Sequence, residues 1–153
     1  MESGNSRRWS WSAVVISLTL AYWLLLFVLT HVPIRPSPEP GKGSLDKLWH
    51  VLAFAGLAFL LCLVGASRRW PRGGLYLAVL AAIGAYGVLD ELTQSWIPQR
   101  SADLRDWVAD LLGAGLGLAA YSLVAVFWER HAAAPRRPAA QADGKDEGIA
   151  SGG

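Results

Sequence analysis

The chain has 153 residues, of which 53% are hydrophobic and only 17% charged, with a mean hydropathy of +0.31 and a formal net charge of +2. This is too apolar for an ordinary water-soluble domain of this size, while the net charge by itself says little about nucleic acid. The expected fold is all-α: a compact bundle of four transmembrane helices over about 12–30, 45–66, 75–96 and 103–127, each long enough for roughly 30 Å of hydrocarbon at about 1.5 Å per residue.

A short cytoplasmic segment, 1–11, carries Arg7 and Arg8 ahead of the apolar run Ala13 to Leu29. Thr30-His31-Val32-Pro33 lacks a small-residue cleavage pattern, so this first span reads as a retained signal-anchor helix. Pro33, Pro36, Pro38, Pro40, Gly41 and Gly43 then predict an extended strap. Ser44 is the expected N-cap of span two, with Asp46 in its first turn, where the helix dipole favours an anion. Cys62, the single cysteine, lies in apolar company mid-span and is expected only to pack.

Arg68, Arg69 and Arg72 separate spans two and three, and Arg130, Arg136, Arg137 and Lys145 follow span four. Together with Arg7 and Arg8 they predict, by the positive-inside rule, that both termini are cytoplasmic. Trp9, Trp11, Trp49, Trp70, Trp96, Trp107 and Trp128 fall near span ends, as interfacial anchors do, while Trp23 is expected to pack in the bundle or against lipid. Without a basic groove these rings do not suggest a platform for nucleic-acid bases. One transmembrane domain, 12–128, therefore precedes a tail, 129–153, with too little bulk to offset the entropy of ordering it.

Polar residues crowd one end of the bundle. Asp46, Lys47 and His50 open span two, Asp90, Glu91 and Gln94 close span three, and Arg100, Asp103, Asp106 and Asp110 lead into span four. A charge at mid-bilayer costs about 2.5–3.5 kcal/mol even on the lenient insertion scale, so these groups need a fold that buries them together or a function. Asp46 and His50 share a helical face, where the carboxylate can orient the imidazole. Asp90 and Glu91 diverge by about 100° around span three, which predicts one facing span two and His50 and the other span four and Asp106. Pro98 marks the turn that returns Arg100 toward the acids as a bidentate partner. Asp103 fits a helix-start charge, whereas Asp110 lies about 10 Å beyond that start. The stripe runs on into Gly113 and Gly117, whose small-xxx-small spacing suits close intramolecular helix packing.

Three ordered motifs carry a family resemblance: Asp46-Lys47-x-x-His50 with Phe54, Asp90-Glu91-x-x-Gln94, and Pro98-x-Arg100 followed by Asp106, Gly113 and Gly117. In these the chain resembles the VanZ-like family of small bacterial membrane proteins, over about Leu45 to Gly117. The family is named for a protein conferring low-level resistance to the glycopeptide teicoplanin, so the resemblance implies a bacterial plasma-membrane protein acting on the cell envelope. Asp110 stands where the familiar pattern has Asn, and Val51 where an aromatic residue often follows the histidine.

Three functions fit these residues. An outward-facing pocket formed by Asp46, Lys47, His50, Asp90, Glu91, Gln94, Arg100, Asp106 and Asp110 would bind an envelope lipid or a glycopeptide. A membrane enzyme would use His50 with Asp46 or Glu91 for acid–base work on a lipid-linked substrate, with or without a metal. A structural network would merely lock the helices together, and an ion-coupled carrier is a weaker reading for four unbroken spans. No cofactor motif is present, and the sequence leaves metal dependence and oligomeric state open.

Overall fold

The computed structural model describes residues 10–31, 42–96 and 103–132, with 42–46 as backbone alone. It contains four helices, α1 Trp11–His31, α2 Lys42–Ser67, α3 Arg72–Gln94 and α4 Leu104–Ala132, and no strand among the described residues. All four are long and apolar enough to cross a membrane. Lipid offers the backbone no hydrogen-bond partners, so segments of this composition close their bonds internally as helices. Leucines of α1 such as Leu18, Leu20 and Leu24 remain more than half exposed because their solvent is hydrocarbon.

The ends differ from expectation in informative ways. α2 begins at Lys42, so Ser44 lies inside its first turn and does not precede the helix as its cap. α4 continues to Ala132, into the stretch assigned to the tail. Two contacts support that extra turn: Glu129 pairs with Arg72 of α3, and His131 Nδ1 lies 2.8 Å from the Phe127 carbonyl oxygen. The proline-rich strap, the N-terminal segment, Pro98, Arg100 and the rest of the tail lie outside the described residues.

Between α2 and α3 the chain reverses through a Schellman turn. Trp70 N–H donates to the Gly65 carbonyl and Arg69 N–H to that of Ala66, both at 3.0 Å, with Arg69 left-handed at φ 59°. Pro71 then precedes α3, where its fixed φ is compatible with helix entry.

The most extensive pairing is α2 with α4, and small residues make it. A Cβ on Gly113 would lie 2.4 Å from the Val51 carbonyl oxygen, and one on Gly117 would lie 2.3 Å from that of Ala55. The small-xxx-small stripe therefore serves packing within the chain. The core beside it consists of Phe54, Leu57, Ala58, Cys62, Ile83 and Ala114. α1 is held less broadly: Gly56 makes room for Tyr22, whose hydroxyl donates to the Ala53 carbonyl at 3.0 Å. Trp23 contacts the rings of Phe27 and Tyr86 while remaining 41% exposed, so it meets both the bundle and lipid.

Candidate functional site

The acids of α3 and α4 form two neighbouring clusters at one end of the bundle. Adjacent positions on α3 send Asp90 and Glu91 to different helices, as the helical repeat requires. Asp90 turns to α1, not to α2 and His50. It is 1% exposed, and its Oδ1 accepts the Thr30 hydroxyl at 3.0 Å while Oδ2 accepts Gln94 Nε2 at 2.6 Å. His31 completes this cluster. Its Nδ1 faces the Phe27 carbonyl at 2.8 Å, so that nitrogen carries a proton, and it also lies 3.8 Å from Asp90 Oδ1. The other ring nitrogen meets the Thr93 hydroxyl at 2.9 Å.

The second cluster joins α2, α3 and α4. His50 Nδ1 lies 2.9 Å from Oδ1 of Asp110, which is 1% exposed and sixty residues away in sequence. Facing a carboxylate oxygen, Nδ1 is the ring nitrogen placed to donate when Asp110 is ionised. Helical register predicts Asp46 as the carboxylate for His50. The one that α4 brings against this ring is Asp110, and the side chain of Asp46 lies outside the described residues.

Glu91 addresses the start of α4. Its Oε2 accepts the Asp103 backbone N–H at 2.7 Å, which puts a carboxylate against the positive end of the helix dipole. Asp103 caps the same helix, accepting the Arg105 N–H at 2.9 Å. Lys47 Nζ lies 3.8 Å from the half-exposed Asp103 and 3.6 Å from the more buried Asp106. Several buried oxygens have no hydrogen-bond partner among the described residues: Glu91 Oε1, Asp106 Oδ1, Asp110 Oδ2 and the Tyr86 hydroxyl. Gly87 is where α3 admits Asp110, since a Cβ there would lie 3.0 Å from Oδ2. Among the described residues no group of three His, Cys, Asp or Glu is arranged to hold a metal ion.

Lys47, His50, Glu91, Asp106 and Asp110 are thus drawn together, while Asp90 and Gln94 join a neighbouring group with Thr30, His31 and Thr93. Sequence reasoning missed that group. Its signal was a polar Thr-His pair ending an otherwise apolar first span at the same end of the bundle.

The clusters predict an order of stability. Asp90→Asn disrupts a carboxylate that accepts at both oxygens and should cost about 1–3 kcal/mol. Asp106→Asn weakens only a 3.6 Å contact to the half-exposed Lys47, longer than a hydrogen bond, and should cost at most about 1 kcal/mol. Unfolding in detergent measures both; equal losses, or the reverse order, would show that Asp90 is not the stronger tie.

The comparisons agree with this architecture. No curated protein and no solved structure matches the chain. The family model described as VanZ/LLP1 matches residues 5–125, a range that takes in all the described residues of both clusters and most of α4. On that match the chain, a bundle of four helices suited to spanning a membrane, belongs to the VanZ/LLP1 family.

Proposed function

We propose that this protein binds an amphiphilic component of the bacterial cell envelope, with an apolar chain between α1 and α2 and a head group at the polar end. The observation that carries this reading is a crevice of about 440 Å³, within the range of small-molecule sites. Tyr22, Leu25, Leu26, Leu29, Leu52 and Phe54 give it apolar walls, and Thr30 and His50 supply polar groups. Each of these two is backed by a buried carboxylate, Thr30 by Asp90 and His50 by Asp110. Tyr22 to Thr30 spans roughly 12 Å of helix, enough to accompany part of a lipid chain. The cationic segments at the opposite end favour an extracytoplasmic position for the clusters in the plasma membrane. Family membership makes an envelope ligand, including the glycopeptide teicoplanin, the natural first probe.

Native mass spectrometry of detergent-purified protein with bacterial envelope lipids and teicoplanin tests this reading. Ligand at about a hundred times Kd would add roughly 2.7 kcal/mol of stability. Leu29→Trp, which fills the crevice from its lipid-exposed side, is expected to reduce retention at least about tenfold, equivalent to roughly 1.4 kcal/mol. Retention of none of these ligands, or equal retention by the filled variant, would sink the proposal.

A second reading is favoured by the His50–Asp110 contact, which orients an imidazole as a general base requires. On this reading His50 performs acid–base chemistry on a lipid-linked substrate, with Glu91 as a further acid. His50→Ala would then change the envelope lipid composition of expressing cells while the protein remained folded. An unchanged composition would count against catalysis.

A further inference from the structure

A separate groove lies between α3 and α4. It measures about 420 Å³ and is lined by Val88, Glu91, Leu92, Asp103, Leu104 and Trp107. Glu91 decides its chemistry. The residue is 7% exposed, its Oε2 is satisfied by the Asp103 N–H, and its Oε1 is buried without a donor among the described residues. Folded proteins leave few buried polar atoms in that condition, and charged ones are the most costly. Asp110 Oδ2 repeats the pattern deeper in the bundle, and Asp106 is close enough to act electrostatically on both acids.

Two nearby cations lie closest to other carboxylates, Lys47 to Asp103 and Asp106 and His50 Nδ1 to Asp110, although His50 also acts electrostatically on Glu91. What the groove offers is therefore acceptor capacity. An ammonium group is its complement, with three N–H donors and no acceptor. Trp107 strengthens the match, since an indole attracts a cation over its face. Its Nε1 donates to the Gly84 carbonyl at 3.0 Å, which holds the ring beside α3. Val88, Leu92 and Leu104 are 47%, 53% and 72% exposed, so the groove has apolar rims open toward the bilayer. Those rims suit a lipid better than a free amine.

We propose that the α3/α4 groove binds the ammonium head group of a membrane aminolipid, with its N–H groups directed to Glu91 and its apolar part against Leu92 and Leu104. This site is independent of the α1/α2 crevice. Native mass spectrometry with phosphatidylethanolamine and its N-acetylated form tests it, because acetylation removes the charge and leaves the chains and phosphate in place. Wild-type protein is expected to prefer the free-amine lipid by roughly tenfold or more, the worth of one charge-assisted hydrogen bond, and Glu91→Gln to lose that preference. Equal binding of the two lipids to the wild type, or a preference that survives Glu91→Gln, would overturn the proposal. Should Glu91→Gln fail to fold, the wild-type comparison alone decides. O-Phosphoethanolamine is expected not to displace the lipid, and displacement at equal concentration would overturn the assignment to a lipid.

Discussion

Gly117→Ala, and Gly113→Ala one turn before it, are expected to loosen α2 from α4. The added methyl at either site meets a backbone carbonyl oxygen, at 2.3 Å from Ala55 or 2.4 Å from Val51, and no rotamer change relieves a clash with backbone. Two effects compete. Alanine in place of glycine favours a helix interior by about 1 kcal/mol, while overpacking a close contact costs about 1–3 kcal/mol. The clash should win at both positions, because the whole helix must move to relieve it. Gly115 provides the control on the same helix: its added Cβ meets nothing within 4 Å, so Gly115→Ala should be neutral or stabilising by up to about 1 kcal/mol. Reversible unfolding in mixed micelles separates the three variants. If Gly113→Ala and Gly117→Ala behave like Gly115→Ala, the close approach of α2 and α4 is wrong.

That approach sets the rest of the site, because His50 is one residue before Val51 on α2 and Asp110 is one turn before Gly113 on α4. Glycines that let the backbones meet also bring imidazole to carboxylate. The four spans could be read from length and hydropathy, and the packing face of α4 from the spacing of Gly113 and Gly117. The partners of individual polar groups could not. Helical register shows that Asp90 and Glu91 diverge, but not which helix stands on either side of α3. That depends on how the helices are ordered around the bundle, a tertiary fact that local spacing does not encode. So one of the two acids was expected to face α2, whereas Glu91 meets the start of α4 and Asp90 binds Thr30 on α1. The side chain of Asp46, which has the right spacing for His50, lies outside the described residues, and Asp110, sixty positions from His50, comes within 2.9 Å of the ring.

Three of the contacts between helices at this end are made through a carboxylate. Asp90 ties α3 to α1, Glu91 ties α3 to the start of α4, and Asp110 ties α4 to α2. A purely structural network would satisfy every oxygen, as Asp90 does through Thr30 and Gln94. Glu91 and Asp110 each keep a buried oxygen with no hydrogen bond among the described residues, which argues that these two acids are retained for more than holding the bundle together.

The His50–Asp110 contact allows that argument to be measured. His50→Leu leaves Asp110, 1% exposed, without the imidazole, and should cost about 3–5 kcal/mol, as breaking a buried charged pair does. Asp110→Asn keeps the shape and an acceptor for Nδ1 while removing the charge that burial penalises, so its own cost should stay within about 1 kcal/mol. In the Asp110→Asn background His50→Leu leaves behind a neutral amide and should cost only about 1–3 kcal/mol. The difference between the two costs is the coupling, expected near 2 kcal/mol in an unfolding titration of all four proteins. Additive losses would mean that the pair contributes no specific interaction. A gain in stability from Asp110→Asn would be the more telling result, because a carboxylate kept at the expense of folding is one that a bound head group or a proton uses.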